Sequence, residues 1–155
     1  IPHVSRLRIH SRLPVVLPDR ITGCLLDAIT APGLQTLMVI HCNHANEIDT
    51  AVGGAMARLQ ERGITTLNQA VLLAGINDSA DALAALSESL FDIGVLPYYL
   101  HLLDQVQGAA HFDVPEQTAR RLLGEVAARL PGYLLPRLVR ENAAAASKTI
   151  LEPLY

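Results

Sequence analysis

The sequence has little of what marks membrane, nucleic-acid-binding or disulfide-rich proteins. Half of its 155 residues are apolar, yet no run approaches the roughly 18 consecutive apolar residues of a membrane span. The net charge of −3 leaves no basic surface of the kind that binds nucleic acid. Cys24 and Cys42 lack the spacing of a disulfide framework or a zinc site. We therefore expect a cytoplasmic protein with no nucleic-acid or membrane partner and no metal ligands of its own.

The start of the sequence predicts a fragment that forms a single domain. A signal-peptide pattern is missing, because Arg6, Arg8 and Arg12 interrupt the first residues. The first residue is Ile1 rather than an initiator methionine, so we expect a piece of a longer protein. The 155 residues suit one domain, residues 1–155, with a core of its own.

Apolar runs of strand length alternate with segments of helical period. The predicted strands are residues 13–17, 34–40, 65–73 and 95–103, followed by a short one at 133–139 that Pro136 interrupts. The predicted helices are residues 20–30, 47–62, 78–92 and 115–130, with Asp78 or Ser79 as a cap and Gly63 and Gly94 as helix ends. Strands at intervals of about 20 to 30 residues are typical of βαβ units. The alternation predicts an α/β fold, and it leaves open whether the sheet is doubly wound or part of a barrel.

Polar residues follow three of the predicted strands, where ligands bind in barrels and in open α/β sheets. These groups are residues 41–44 (HCNH), 75–78 (GIND) and Asp104 with Gln105. A metal site in HCNH is disfavoured, because two histidines and one cysteine form a single incomplete ligand set. GIND is also explained as the cap of the next helix. Asp104 alone is more simply explained as a residue that caps the turn before Gly108.

Lys148 is the single lysine of the chain. A lysine forms a Schiff base with a carbonyl cofactor only as a free amine, so it needs surroundings that favour the neutral form. Lys148 follows a run of four alanines, residues 143–146. From the residues alone, a solvated lysine near a chain end is the alternative interpretation. Glu141 is likewise explained as a solvated glutamate beside Arg140.

Four segments together carry a resemblance to a known family: LRIHSRLPVVLPDRIT (7–22), NQAVLLAGIND (68–78), PYYLHLLDQVQGAAHF (97–112) and Ser147-Lys148-Thr149. In this order they resemble the C-terminal half of a lysine 2,3-aminomutase of the radical S-adenosylmethionine type. The resemblance covers residues 7–149. It is strongest to the branch that makes β-lysine for the modification of elongation factor P. It implies the C-terminal part of a partial (β/α) barrel, with about four βα units and a C-terminal cofactor-binding segment.

The resemblance also implies roles for individual residues. Lys148 matches the lysine that carries pyridoxal 5′-phosphate. Asp104 and Glu141 match two carboxylates that hold the side-chain ammonium of substrate lysine, which a buried ammonium requires. His41, Gln69 and Gly75 match contacts to S-adenosylmethionine. The sequence departs from the family at Ile150, where proline is usual, and at the alanine run, where glycines are usual.

The implied activity is that of an isomerase that moves the α-amino group of L-lysine to the β-carbon. The [4Fe–4S] cluster of such an enzyme is bound by a CxxxCxxC motif, which the chain lacks. We therefore expect the cluster ligands, and the arginine for the substrate carboxylate, in a missing N-terminal half. The fragment is expected to be inactive alone.

The elongation factor branch rests on two features of the sequence. The chain ends seven residues after Lys148. In addition, the amino-acid sequence of residues 101–112 (HLLDQVQGAAHF) is most similar to that branch. The product would then pass to the ligase that attaches β-lysine to elongation factor P, and a homo-oligomer is left open. Three alternatives remain: a free-lysine 2,3-aminomutase of lysine catabolism, a pyridoxal phosphate enzyme without radical chemistry, and a degenerate, non-catalytic α/β binding module.

Overall fold

Five parallel strands lie side by side in the same order as in the chain. The computed structural model describes residues 3–104, 106–142 and 147–155. The parallel strands are β1 (Arg6–Ser11), β2 (Gln35–His41), β3 (Thr65–Val71), β4 (Val95–His101) and β5 (Arg137–Arg140). A two-residue strand, β6 (Thr149–Ile150), adds to β5 in the antiparallel direction. Gln105 and the alanine run 143–146 lie outside the described residues.

In the described part of the chain, five α-helices connect these strands. They are α1 (Leu13–Val16), α2 (Gly23–Thr30), α3 (Thr50–Glu61), α4 (Ala80–Asp92) and α5 (Glu116–Ala127). Ser79 caps α4 by accepting a hydrogen bond from the backbone N–H of Ala82 at 3.2 Å, as the sequence allowed. Gly63 and Gly94 follow α3 and α4 with φ of +69° and +76°, a conformation that glycine adopts readily. Both were predicted as helix ends. No helix in the described part of the chain is long and apolar enough to cross a membrane.

The strand order decides between the two architectures that the sequence left open. A doubly wound sheet reverses its direction of winding, whereas strands in chain order are wound in one direction only. Right-handed crossovers then place the helices on one face. Strand residues Ile40, Leu100 and Leu138 accordingly share one buried cluster with Leu59 of α3 and Leu90 of α4. The arrangement is that of a partial (β/α) barrel, which confirms the predicted fold class.

The predicted first strand was wrong. Residues 13–17 were interpreted as a strand because they are continuously apolar, but Leu13–Val16 is helix α1 with Pro14 in its first turn. The actual strand, β1, alternates between charged residues that are exposed and the half-buried Leu7 and Ile9. Such alternation is typical of a strand at the side of a sheet with one face exposed. The last predicted strand, 133–139, is also displaced: Gly132–Leu134 is a 3-10 turn and β5 begins at Arg137.

The segment after β6 packs across helix α5. The backbone N–H of Leu154 donates to the carbonyl O of Arg120 at 3.0 Å, and Arg120 Nε donates to the carbonyl O of Glu152 at 2.7 Å. A methyl group at Gly124 would overlap the carbonyl O of Leu154. Because β6 begins directly after Lys148, this contact with α5 also fixes where Lys148 enters the sheet.

Candidate active site on the open face of the sheet

A row of polar side chains crosses the sheet on the face opposite the helices, here called the open face. His41 is in register with Gln69, Gln69 with Tyr99, and Tyr99 with Arg137. Side chains in register on parallel strands point to the same face. The row therefore brings together residues from four strands that are far apart in the sequence.

His41 and Gln69 are hydrogen-bonded within this row. Their Nε2 atoms lie 2.9 Å apart, and the amide nitrogen of Gln69 is a donor, so the imidazole Nε2 accepts. Burial lowers the pKa of His41, and the nearby His10 and Arg12 lower it further. His41 is therefore a neutral imidazole near neutral pH. The structure thus joins two of the residues that the resemblance assigned to S-adenosylmethionine.

Lys148 lies at the other end of the open face, in contact with three side chains. Its Nζ forms an ion pair with Glu141, lies 3.4 Å from His101 Nε2 and sits 5.2 Å from the ring centroid of Tyr99. The Lys148 side chain is only 30% exposed. The hydrogen bond and the charge of Lys148 lower the pKa of Glu141, so this carboxylate stays ionised. Lys148 is thus not a freely solvated lysine near a chain end.

His101 is the most buried member of this group. It is the last residue of β4 and is 9% exposed. Burial is the main cause that lowers its pKa, and the charge of Lys148 adds to it, while Glu141 and Asp104 act in the opposite direction. His101 Nδ1 lies 3.8 Å from Glu141 Oε1. One histidine therefore faces both the lysine and the carboxylate.

A cleft of about 350 Å³ connects these groups. Four predicted site residues line it: His41, Gln69, Asp104 and Glu141. Lys148 reaches the cleft through Glu141 and His101, which it contacts. The volume lies within the range of small-molecule sites. These four predicted residues thus converge on one concave surface.

Gly75 is the exception among the predicted site residues. It does not line this cleft. It lies in the turn after β3 with φ of +73°, and a Cβ added there would meet nothing within 4 Å. The left-handed backbone conformation of this turn explains why a glycine occupies position 75. Contact with a ligand at Gly75 stays a prediction.

Buried asparagines fix the loops that carry the site. Asn77 is fully buried, and it accepts a hydrogen bond from Leu73 N at 2.7 Å. Its Nδ2 donates to the carbonyl O of Asn43 at 2.8 Å and to that of Val71 at 2.9 Å. The Asn43 side chain in turn accepts from Val71 N at 2.9 Å. Asn77 of the GIND motif thus joins the loops after β2 and β3 through hydrogen bonds. The cap of α4 is Ser79 rather than a residue of this motif.

The HCNH loop is held in the same manner and is poorly suited to a metal. Glu47 accepts from the backbone N–H groups of Asn43 at 2.6 Å and His44 at 3.0 Å. Burial and the charge of Glu47 raise the pKa of Cys42 to about 12, so its thiol stays protonated. Cys42 is buried and Cys24 is exposed, and the described residues contain no group of three or more metal ligands. The described part of the chain therefore does not fit a [4Fe–4S] cluster.

The residues do fit the lysine end of a pyridoxal phosphate site. An amine is held at a concave surface of suitable volume, over the face of Tyr99 and beside a histidine. Sequence reasoning missed His101, Tyr99 and Arg12, of which Arg12 and His101 line the cleft. The available signal was the position of His101 at the end of a strand, three residues before Asp104.

The chain is similar to known proteins in both sequence and structure. The chain is 54% identical over 152 residues to "L-lysine 2,3-aminomutase" of Escherichia coli (strain K12), covering 98% of the chain and 44% of that protein. It is 50% identical over 150 residues to the protein of the same name from Haemophilus influenzae, with 97% of the chain and 44% of that protein covered. It is 36% identical over 155 residues to that of Clostridium subterminale, with 100% and 37% covered. No family model matches the chain.

Two solved structures share the fold. A radical SAM methyltransferase from Sphaerobacter thermophilus superposes with a TM-score of 0.57 at 15% identity, covering 76% of this chain and 37% of that one. A domain of pyruvate-formate lyase-activating enzyme from Bacteroides vulgatus gives 0.50 at 12% identity, with 88% and 98% covered. These structures support the fold alone. Over nearly its whole length the chain is similar in sequence to L-lysine 2,3-aminomutases, and it spans less than half the length of the curated relatives it matches.

Proposed function

We propose that the protein containing this chain is an isomerase that moves the α-amino group of L-lysine to the β-carbon. The observation that carries the proposal is one cleft of the open face, which Glu141, Asp104, His41 and Gln69 line and beside which Lys148 pairs with Glu141. The resemblance to aminomutases assigns a role in the site to each of these five residues. The relatives with 50% and 54% identity carry the name of that activity.

The chemistry is proposed to depend on cofactors that this chain holds only in part. When bound, pyridoxal phosphate would delocalise an unpaired electron, and S-adenosylmethionine at a [4Fe–4S] cluster would supply the initiating radical. The cluster ligands belong outside this chain, because its described cysteines and histidines do not group. What this chain contributes is binding, orientation and the placement of protons.

Lys148 is proposed to attach pyridoxal phosphate. Its amine lies on the open face beside the cleft, and Tyr99 offers an aromatic surface under it. Its ammonium form is paired with Glu141, so a proton must leave before the nitrogen can attack a carbonyl group. The side chain is positioned by β6 and by the tail that crosses α5.

Asp104 and Glu141 are proposed to hold the side-chain ammonium of substrate lysine. Both line the same cleft, and two carboxylates provide the charge and the acceptors that a desolvated ammonium requires. Glu141 already pairs with an ammonium, that of Lys148. This pair shows that the carboxylate has access to a cation on the open face. Amino acids that lack a terminal amine would leave both acids unpaired, which favours lysine over such analogues.

His41 and Gln69 are proposed to contact S-adenosylmethionine. They lie at the carboxyl ends of β2 and β3, where ligands bind in barrels. The neutral imidazole and the amide offer hydrogen bonds without adding charge beside a sulfonium. Gly75, in the next turn, would allow the backbone to approach the adenosine closely.

The product is proposed to serve the modification of elongation factor P in the cytoplasm, by transfer of β-lysine to the corresponding ligase. The sequence of residues 101–112 supports this branch. A homo-oligomer remains open.

The test uses the full-length protein that contains this chain. It is reconstituted anaerobically with iron, sulfide, pyridoxal phosphate and S-adenosylmethionine, then given L-lysine and dithionite. We expect β-lysine by chromatography from the wild type and none from Lys148→Arg. The arginine keeps a cation beside Glu141 but cannot form a Schiff base. Absence of β-lysine from a wild-type protein that holds its cluster and both cofactors would refute the proposal.

A further inference from the structure

His101 has surroundings that ordinary core packing does not require. It is a buried histidine on the open face, with its ring edge-to-face with Tyr99 at 5.8 Å between centroids. Its two nitrogens face different charged groups: Nε2 faces the Lys148 ammonium at 3.4 Å, and Nδ1 faces the Glu141 carboxylate at 3.8 Å. A histidine between a cation and an anion is arranged to move a proton.

The neighbours determine which nitrogen carries the proton. An ammonium only donates, so Nε2 must present its lone pair to Lys148. The ring proton then lies on Nδ1, on the side of Glu141. The other charged and titratable groups that act on His101 are Asp104 and His41. Asp104, like Glu141, favours a protonated ring, whereas His41 disfavours it.

We propose that His101 is the proton acceptor that converts the Lys148 ammonium into the free amine that captures pyridoxal phosphate. The inference rests on the proposed function, because it assigns Lys148 to that cofactor. Glu141 has the complementary part: it holds Lys148 in place while charged, and it stabilises the imidazolium that forms when the proton moves. The three residues act in the order Lys148, His101, Glu141.

The step balances without an oxidant or a reductant. One ammonium proton moves to His101 Nε2, and the freed lone pair on Lys148 Nζ forms a bond to the carbonyl carbon. The carbonyl oxygen leaves as water, with one proton from the lysine nitrogen and one from the imidazolium. A C=N bond replaces the C=O bond, the single positive charge stays on the lysine nitrogen, and His101 returns to its neutral form.

The direction of the histidine pKa supports this assignment. Burial and the charge of Lys148 lower the pKa of His101, so the ring is neutral and ready to accept a proton at neutral pH. As the pH falls through that lowered pKa, the ring becomes protonated and capture slows. Without His101, the proton must go to water or hydroxide, and capture requires a higher pH.

The experiment measures capture of pyridoxal phosphate by the full-length protein. Borohydride traps the bond, and mass spectrometry of the Lys148 peptide gives its rate from about pH 6 to about pH 9. His101→Gln is expected to slow capture by at least ~10-fold near neutral pH, because a positioned base contributes a factor of about that size or more. The difference in capture rate between His101→Gln and the wild type should become smaller at high pH. His3→Gln, an exposed histidine before β1, is the matched control and should behave as wild type.

Two further readouts separate proton transfer from a structural role. Pyridoxamine phosphate lacks the carbonyl, so its affinity should be the same in wild type and His101→Gln. In His101→Ala, added imidazole should restore part of the rate, because the vacated position adjoins the cleft. Equal loss of pyridoxamine phosphate affinity, with no rescue by imidazole, would overturn the inference.

The remaining outcomes distinguish this inference from the proposed function. If the wild type captures the cofactor at Lys148 and His101→Gln has the same rate at every pH, the proton acceptor is not His101, while the proposed function stands. If the wild type forms no bond at Lys148, both are wrong.

Discussion

Replacing Asn77 by alanine should loosen the loops after β2 and β3, although Asn77 itself does not line the cleft. The side chain is fully buried and makes three hydrogen bonds to backbone groups: it accepts from Leu73 and donates to Asn43 and Val71. Alanine leaves one N–H and two carbonyl groups without these partners. Each such group costs about 1 kcal/mol or more when it is buried, so we expect a local loss of about 3 kcal/mol.

The assay is native-state hydrogen exchange of the full-length protein, followed at the amides of Leu73 and Val71. A loss of about 3 kcal/mol corresponds to a fall in protection of about 100-fold. Asn46→Ala is the matched control, because Asn46 is exposed in the neighbouring loop and should change stability by less than about 0.5 kcal/mol. Unchanged protection at Leu73 in Asn77→Ala would refute the view that this asparagine joins the two loops.

Three further predictions concern the tail, the substrate carboxylate and the thiols. Gly124→Ala should displace the tail from α5, because its methyl group would overlap the Leu154 backbone, and capture of pyridoxal phosphate by Lys148 should slow about 10-fold or more. Asp104→Asn should raise KM for lysine by about 10-fold or more, as measured by β-lysine formation, because a charge-assisted hydrogen bond contributes about 1.5–3 kcal/mol. Iodoacetamide near pH 8 should alkylate the exposed Cys24 in the native protein and spare Cys42, whose pKa is raised to about 12; peptide mapping gives the result.

Two control variants and two contrary results test these three predictions. Gly23→Ala is the control for the tail, because a Cβ at Gly23 meets nothing within 4 Å; equal capture rates in both variants would contradict the overlap. Asp92→Asn changes an exposed residue at the end of α4 and should leave KM unaltered. Alkylation of Cys42 at the rate of Cys24 before unfolding would contradict its burial.

The central strands and helices could be predicted from the sequence because their signals are local. The strands β2 and β4 are mostly apolar, β3 is followed directly by the apolar Leu72 and Leu73, and positive-φ glycines end α3 and α4. β1 was not predicted because one of its faces is exposed and the other half-buried, so charged residues interrupt its apolar pattern. β6 has two residues, and its position depends on the tail that crosses Gly124, a contact between segments distant in the sequence.

The candidate site likewise combines residues that the sequence predicts with contacts that only the fold reveals. The rule that ligands meet the ends of parallel strands selected His41 and Asp104, and both line one cleft. Gln69, which lines it as well, was assigned only through the resemblance. The ion pair of Lys148 with Glu141 could not be predicted, because it depends on the antiparallel pairing of β5 and β6. His101 looked like one more residue of an aromatic, apolar strand. Its significance appeared only when the fold placed two charged side chains beside it.

The most direct test of the role proposed for Lys148 is to locate the lysine that holds pyridoxal phosphate in the full-length protein. The holoprotein is reduced with borohydride, digested and mapped by mass spectrometry. The account predicts that the cofactor is attached to Lys148, the single lysine of this chain, and that Lys148→Arg abolishes attachment. A modification at a lysine outside this chain, with Lys148 unmodified, would contradict it.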